Sequence, residues 1–253
     1  MRELALEVEQ YGSHESLVEN IKHSLSLGLP EFAPGLCTHD GTFVVVGSGP
    51  SVADHLDEIR QESLTRPICA VKGAYDYLRD NGISPAIYLT VEPRLRPVKN
   101  PHKDSTYLIA SRCSPETFEA LKDYNVVIWN SWSKEYENEA FTPRMGVGGG
   151  TTSGLRAISI GWLLGFRNFH LYGFDSCLTG GEKRIGQGAI HPAVSTTDVI
   201  VGNRSFTCNM AMAQQADDFQ GIYEFIPDIH IESFGDGLIS AIIEQRKKEG
   251  MVT

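Results

Sequence analysis

The amino-acid sequence predicts a Rossmann-like α/β fold, with a doubly wound, mostly parallel sheet and helices on both of its faces. From residue 43 onward, short apolar runs alternate with segments of helical pattern. The first run, Phe43–Val46, is apolar at every position, which is typical of a strand covered on both faces. Strands that alternate with helices are joined by parallel crossovers, and this order predicts a doubly wound sheet.

The individual elements are predicted from apolar periodicity and from Gly, Pro and capping signals. Strands are expected over 43–46, 67–71, 86–91, 106–110, 125–129, 168–172 and 229–232. Helices are expected over 13–27, 51–61, 74–80, 115–122, 153–164, 207–223 and 238–248. Residues 1–41 are predicted to be a short helical lead-in, packed on a single domain that spans 42–253. Residues 176–206 are predicted to form a long polar loop, and such loops are usually lids, binding loops or disordered.

The composition and net charge of the chain limit the classes of protein to which it can belong. The chain has 253 residues, 41% of them hydrophobic, and a formal net charge of -10. That charge argues against a nucleic-acid-binding protein, which usually presents a basic face. Five scattered cysteines without a CxxC pair favour reduced thiols in a cytoplasmic protein. We expect no signal peptide and no membrane span, and homo-oligomerisation stays open.

A glycine loop follows the first core strand and comprises Gly47, Ser48, Gly49, Pro50 and Ser51. Glycines let a backbone approach a ligand closely, and a following helix N-terminus favours an anion. The loop lacks the third glycine of the dinucleotide fingerprint, because Val52 stands there, and no Gly-Lys-Ser/Thr of a Walker A loop follows. It predicts a phosphate-binding loop, with a plain strand-to-helix turn as the alternative.

A second glycine run, Gly148–Gly150, leads into the apolar helix predicted over 153–164. The candidate binding residues here are Gly150, Thr151, Thr152, Ser153 and Gly154. Glycines, hydroxyls and a helix N-terminus together predict a second site for phosphate or ribose. The alternative is that Thr152 or Ser153 is only a helix cap.

Carboxylates follow two of the predicted strands, Glu92 after the third and Asp175 after the sixth. Strand carboxyl ends meet at the ligand edge of such a sheet, so both can hold Mg²⁺ beside a pyrophosphate. Alternatively, each carboxylate begins a turn or pairs with Arg94 or Arg96. In the loop at 176–206, His191 is a candidate general base for an acceptor hydroxyl, or a solvated histidine.

Three motifs occur in the same order as in a known family: Val46–Ser51, Gly148–Gly154 and Leu171–Asp175. The chain resembles the MptE-like proteins, which are similar to archaeal 6-hydroxymethylpterin diphosphokinase and are often encoded by bacteria and phages. The wider group includes motility accessory proteins that modify flagellin, and its fold is similar to that of certain bacterial sialyltransferases. The resemblance implies that both glycine loops hold a nucleotide, with Asp175 and His191 beside it. It places a phage-encoded member in the host cytoplasm.

The resemblance and the residues together predict a transferase that uses a nucleotide and a small hydroxyl acceptor. The first hypothesis is transfer of pyrophosphate from ATP to an acceptor such as a hydroxymethylpterin, assisted by Mg²⁺. The second is a sialyltransferase-like glycosyltransferase that uses a nucleotide sugar. The third is a non-catalytic nucleotide-binding or interaction protein that kept the fold.

Overall fold

The computed structural model of the protein describes residues 13–132, 144–178, 185, 195–226 and 228–251. Within these ranges the strands are β1 (His39–Val46), β2 (Ile68–Val71), β3 (Ile87–Thr90), β4 (Thr106–Ala110), β5 (Asn125–Ser131), β6 (Gly146–Val147), β7 (Phe166–Tyr172), β8 (Thr196–Val201), β9 (Arg204–Asn209) and β10 (His230–Phe234). The α-helices are α1 (His14–Ser26), α2 (Leu56–Glu62), α3 (Gly73–Asp80), α4 (Pro115–Ala120), α5 (Ser153–Leu163), α6 (Met210–Phe225) and α7 (Leu238–Lys248). A 3₁₀ helix spans Pro50–His55. None of the described helices is long and apolar enough to cross a membrane.

The main sheet has eight strands in the order β10-β7-β1-β2-β3-β4-β5-β6, and each neighbouring pair is parallel. The predicted fold class is therefore confirmed, and all seven predicted strands belong to this sheet. The two-residue strand β6 was not predicted, because Gly146–Val147 is too short to produce an apolar run.

A cleft lies at the carboxyl end of β1, because the chain changes direction in the sheet at this strand. The chain passes from β1 outward through β2 to β6, and then returns to β7 on the other side of β1. The connections that leave β1 and β7 therefore diverge at the carboxyl edge of the sheet. Ligands of open α/β sheets bind at such a switch point.

The buried helix α5 is seated over the middle of the sheet, against β7, β1 and β2. Gly161 permits this close packing, because a Cβ there would lie 2.6 Å from the ring of Phe43 and 2.7 Å from that of Phe169. The packing brings the N-terminus of α5, with the second glycine loop, to the carboxyl edge of β1.

The predicted loop at 176–206 is wrong in its later part. Residues 196–201 and 204–209 pair as an antiparallel hairpin, with Gly202 and Asn203 as its two-residue turn. Gly-Asn between two β-prone runs is a hairpin signal, and Gly202 has φ 59°. The helix predicted from residue 207 begins at Met210, because Asn209 ends β9 and caps α6 by accepting from the N–H of Met212 at 3.0 Å.

The N-terminal lead-in contains the predicted helix, as α1. Ser13 caps it by accepting from the N–H of Ser16 at 3.2 Å, and α1 packs against α4. The main sheet already begins at His39, three residues before the predicted start of the domain. The division at residues 41 and 42 stays a prediction.

Candidate functional site

The first glycine loop runs beside the segment that follows β7. The N–H of Gly47 donates to the carbonyl of Tyr172 at 2.7 Å, and the N–H of Gly49 donates to the carbonyl of Gly173 at 2.9 Å. A Cβ at Gly47 would lie 2.5 Å from the Gly173 oxygen. The sequence predicts that these glycines admit a ligand; the close approach that the structure shows is between two backbone segments.

Asp175 joins the loops that follow β7 and β1. It is 4% exposed, and its Oδ2 accepts a hydrogen bond from the backbone N–H of Ser51 at 3.1 Å. Its carbonyl accepts from the N–H of Leu238, at the start of α7, at 2.7 Å. Burial raises the pKa of Asp175, and the hydrogen bonding from Ser51 opposes that rise without cancelling it. The backbone N–H of Ser51, which was predicted to bind an anionic ligand, thus donates to the protein's own carboxylate.

Asp218, on α6, holds the second glycine loop. Thr151 donates to its Oδ2 from the backbone N–H at 2.8 Å and from the hydroxyl at 2.7 Å. Oδ1 accepts from Nε2 of Gln214 at 2.9 Å. Gly149 and Gly150 precede this contact with φ of 110° and 92°, a region that favours glycine. The two glycines therefore shape a loop that α6 fixes in place.

Thr152 and Ser153 both make structural contacts at the start of α5. Thr152 is the N-cap, and its Oγ1 accepts from the N–H of Leu155 at 3.3 Å and from Nε2 of Gln215 at 3.2 Å. Oγ of Ser153 accepts from the N–H of Val91 at 3.3 Å, which ties α5 to the end of β3. The helix-cap interpretation is confirmed for Thr152, although capping does not remove either side chain from the cavity described next.

A cavity of about 810 Å³ lies at the carboxyl edge of the sheet and at the N-terminus of α5. Small-molecule sites usually measure roughly 300–1,000 Å³. Eight of the predicted binding residues line this cavity: Gly47, Ser48, Gly49, Thr151, Thr152, Ser153, Gly154 and Asp175. Four other predicted residues are not in the lining: Pro50, Ser51, Gly150 and Glu92. The predicted base, His191, lies outside the described residues.

Glu92 follows β3 and is held by three cations. Its Oε1 lies 2.9 Å from Nε of Arg94, and its Oε2 lies 3.4 Å from Nζ of Lys72 and 3.8 Å from Nε of Arg96. Burial alone would raise the pKa of Glu92, but the hydrogen bond from Arg94 and the charge of Lys72 outweigh it, so the pKa is lowered. The alternative that Glu92 pairs with Arg94 and Arg96 is confirmed.

A magnesium ion between Glu92 and Asp175 needs both carboxylates at the cavity. Asp175 lines it and can offer one oxygen, which suffices where phosphates supply further ligands. Glu92 does not line it, and both of its oxygens face cations. Among the residues that the structure describes, no three His, Cys, Asp or Glu side chains form a metal-binding group. The lining can therefore hold a magnesium ion through Asp175 together with oxygens of the bound ligand. Magnesium binding by Glu92 stays a prediction, and the ion pairs of Glu92 disfavour it.

Sequence reasoning missed Lys72, which follows β2 and lines the cavity. Its φ of 49° lies in the left-handed region, which is uncommon for residues other than glycine and is often found at functional sites. Its position could have been inferred from the sequence, because Lys72 directly follows a predicted strand, as Gly47 does, and the carboxyl ends of these strands lie at the same edge of the sheet. Asp218 had no such signal, because its contact with Thr151 spans 67 residues.

Comparison with known proteins agrees with this geometry. A model of the 6-hydroxymethylpterin diphosphokinase MptE-like family matches residues 15–181, which is well over half of the chain. The chain belongs to the MptE-like family. The matched residues include both glycine loops, Glu92 and Asp175, whereas α6 and Asp218 lie beyond them. No curated protein matches the sequence.

A solved structure shares the fold of this MptE-like chain. It is the structure of MAf glycosyltransferase from Magnetospirillum magneticum AMB-1, with 15% sequence identity and a TM-score of 0.62. The similarity covers 94% of this chain and 42% of that one, so this chain spans less than half the length of that protein. At this identity the comparison shows a common fold alone, and the transferase-like role is supported by the family match.

Proposed function

We propose that the protein transfers a diphosphoryl group from ATP to a hydroxyl acceptor such as a hydroxymethylpterin. The observation that carries this proposal is the single cavity along which both glycine loops and Asp175 lie, in a chain of the MptE-like family. A nucleotide at the switch point would place its ribose and phosphates between the loop after β1 and the N-terminus of α5.

In the proposed reaction, the acceptor oxygen attacks the β-phosphorus of ATP. The bond between that phosphorus and the oxygen bridging to the α-phosphorus breaks, AMP leaves with the bridging oxygen, and the acceptor keeps the diphosphate. The hydroxyl proton passes to a base, for which His191 is the candidate. Removing a general base usually lowers the rate about 10²- to 10⁴-fold, so His191→Ala is expected to lower kcat by at least about 100-fold.

The described residues would act by positioning and electrostatics, which dominate phosphoryl transfer. The N-terminus of α5 would face the negative phosphates, and Lys72 and Arg96 line the same cavity with positive charge. Asp175 would hold a magnesium ion if one accompanies ATP; bound there, it would neutralise charge on the phosphates. Asp175 also keeps the two loops together through Ser51, so its substitution affects shape as well as charge.

The decisive experiment is incubation of the protein with ATP, Mg²⁺ and a hydroxymethylpterin, with AMP and the pterin diphosphate measured by chromatography. Asp175→Asn is expected to lower the rate strongly. Asp57→Asn, an exposed change at the start of α2, is the matched control and is expected to retain it. Absence of AMP with a range of hydroxyl acceptors would reject diphosphoryl transfer.

A glycosyltransferase that uses a nucleotide sugar is the second candidate. The fold shared with MAf glycosyltransferase favours it, as do the cations at the cavity, which suit a reaction without a metal. In that case the acceptor hydroxyl attacks the anomeric carbon and a nucleoside phosphate leaves with the glycosidic oxygen. Turnover of a nucleotide sugar in the presence of a chelator would favour this candidate. Tight nucleotide binding without turnover of any donor, unaffected by Asp175→Asn, would instead indicate a non-catalytic binding protein.

A further inference from the structure

The cavity has a second group of lining residues beyond the two glycine loops. Lys72 follows β2, while Arg94 and Arg96 belong to the segment that follows β3. Neighbouring strands lie about 4.8 Å apart, so the end of β3 lies about 10 Å from the end of β1 along the sheet edge. The arginines therefore lie two strands away from the switch point at which the nucleotide is proposed to bind, and Lys72 lies between the two.

Three cationic side chains meet at this end, around one carboxylate. Lys72, Arg94 and Arg96 all lie within 3.8 Å of an oxygen of Glu92. The side chain of Glu92 is 5% exposed, whereas those of Arg94 and Arg96 are 52% and 43% exposed. Glu92 is thus the buried member of the group, whereas the guanidinium groups that pair with it are exposed at the cavity.

The sign of the charge on this wall differs from that of the chain as a whole. Lys72, Arg94 and Arg96 place three positive charges along one wall of the cavity. The chain as a whole has a formal net charge of -10, so a cluster of cations on a cavity wall runs against the overall balance. Such local concentrations of one sign usually face a ligand of the opposite sign.

The backbone of Lys72 gives independent support. It holds φ 49° although it is not glycine, a conformation that costs free energy and persists only where its surroundings impose it. Its N–H donates to the carbonyl of Leu89 at 3.4 Å, and this contact holds Lys72 at the edge of the sheet. The fold therefore accepts strain at the residue that brings a cation to the cavity.

We infer that Lys72, Arg94 and Arg96 form a subsite for a diphosphate group, with Glu92 as the anchor that orients them. Guanidinium groups bind phosphate oxygens through paired, charge-assisted hydrogen bonds, and an ammonium adds a point charge. This inference rests on the proposed function, because it assigns the part of the cavity that receives the transferred group. It also gives the chain a means of neutralising phosphate charge with its own side chains.

The test is calorimetric titration of the whole chain with inorganic pyrophosphate, without magnesium and in one buffer throughout. The wild type is expected to bind, and Arg96→Gln to weaken Kd about tenfold, the usual scale for a charged hydrogen bond. Arg96→Lys keeps the charge and is expected to fall between them. Arg144→Gln is the matched control, since Arg144 pairs with Glu31 at 3.1 Å and does not line the cavity; it is expected to bind like the wild type.

Titration with AMP separates the subsite from the nucleotide loops. AMP affinity is expected to change less than twofold in Arg96→Gln if the cations hold only the distal diphosphate. The inference is overturned if pyrophosphate does not bind, if Arg96→Gln binds it unchanged, or if Arg144→Gln weakens it equally. The inference is also overturned if Arg96→Gln loses as much affinity for AMP as for pyrophosphate. Binding of gluconate in place of pyrophosphate overturns it as well, because that result would indicate a carboxylate site. Pyrophosphate binding without transfer in the enzyme assay would reject the proposed function and leave the subsite standing.

Discussion

The carboxylate of Asp175 accepts a hydrogen bond from the backbone N–H of Ser51 at 3.1 Å, so the loops that follow β7 and β1 are joined across the switch point. These residues are 124 positions apart in the chain. The contact gives the carboxylate a role in stability, which experiments can separate from the role proposed for it in the reaction.

The buried charge of Asp175 is expected to cost stability at neutral pH. Because its pKa in the folded state is raised above the ordinary 3.8, the folded protein retains a proton that the unfolded chain has already lost. The free energy of unfolding therefore has a contribution from this group that is present below pH 3.8 and is lost as the pH rises through the folded pKa. Asp175→Asn keeps the shape without the charge and is expected to gain stability relative to wild type as the pH rises from 3 to 7.

Denaturant unfolding of both proteins between pH 3 and pH 7 measures this difference. Asp57→Asn serves as the control for general effects of charge. A constant difference between Asp175→Asn and wild type across that range would show that the group titrates alike in both states.

Gly49→Ala is expected to be strongly destabilising. A Cβ at this position would lie 2.1 Å from Oδ2 of Asp175 and 2.6 Å from the carbonyl oxygen of Gly173, so the loops must separate. Overpacking of this kind costs about 1–3 kcal/mol. Gly148→Ala is the matched control, because among the described residues no atom beyond its chain neighbours lies within 4 Å of its added Cβ. It is expected to stay within about 0.5 kcal/mol of wild type. Equal losses in the two variants would contradict the packing argument.

Asp218→Ala is expected to loosen the second glycine loop. It removes both hydrogen bonds from Thr151, at a cost of about 1–3 kcal/mol. Hydrogen exchange should become faster at Thr151 and at the first turn of α5, and nucleotide affinity should fall. Asp217→Ala changes the exposed neighbour on the same helix and is expected to leave both unchanged. Unchanged exchange in Asp218→Ala would show that α6 does not hold the loop.

Glu92→Gln is expected to destabilise the protein at neutral pH by about 1–3 kcal/mol, because the three cations lose their shared carboxylate. This is less than the roughly 3–5 kcal/mol for breaking a fully buried pair, since the cations reach solvent. The pKa of Glu92 is lowered in the folded state, so its contribution is present above the ordinary 4.5 and is lost as the pH falls through the folded pKa. Unfolding measurements should therefore show the two proteins converging in acid.

Glu92→Gln also tests the magnesium prediction. If Glu92 only orients the cations, the dependence of activity on magnesium concentration should be the same in the variant and the wild type, even where the rate is lower. A large rise in the magnesium concentration needed for half-maximal activity would establish Glu92 as a metal ligand.

Most of the fold could be predicted because parallel strands buried on both faces leave continuous apolar runs, of which Phe43–Val46 is the clearest. The hairpin of β8 and β9 was missed because its first strand is largely exposed and begins with polar residues, so it leaves no continuous apolar run. Its β-branched residues and the Gly202–Asn203 turn were the available signals. Eight predicted binding residues line one cavity because strand ends share an edge of the sheet, a rule of the fold class.

The partners of these residues could not be predicted, because they are fixed by tertiary packing. Ser51 bonds to Asp175, and Thr151 to Asp218, across long stretches of sequence. Glu92 is a residue type that binds metal ions, and its pairing with Arg94 and Arg96 was one of the predicted alternatives. The third cation, Lys72, follows the neighbouring strand β2 and could not be predicted to reach Glu92.

The rate at which an anion reaches the cations around Glu92 depends on the charge of the whole chain. They act at contact distance, whereas the net charge of -10 acts on the approaching molecule from every side. At low ionic strength that field extends about 30 Å and repels an anionic ligand, and at physiological salt it shrinks to about 8 Å. Added salt should thus speed encounter with the cavity while weakening the contacts made inside it, the reverse of electrostatic steering.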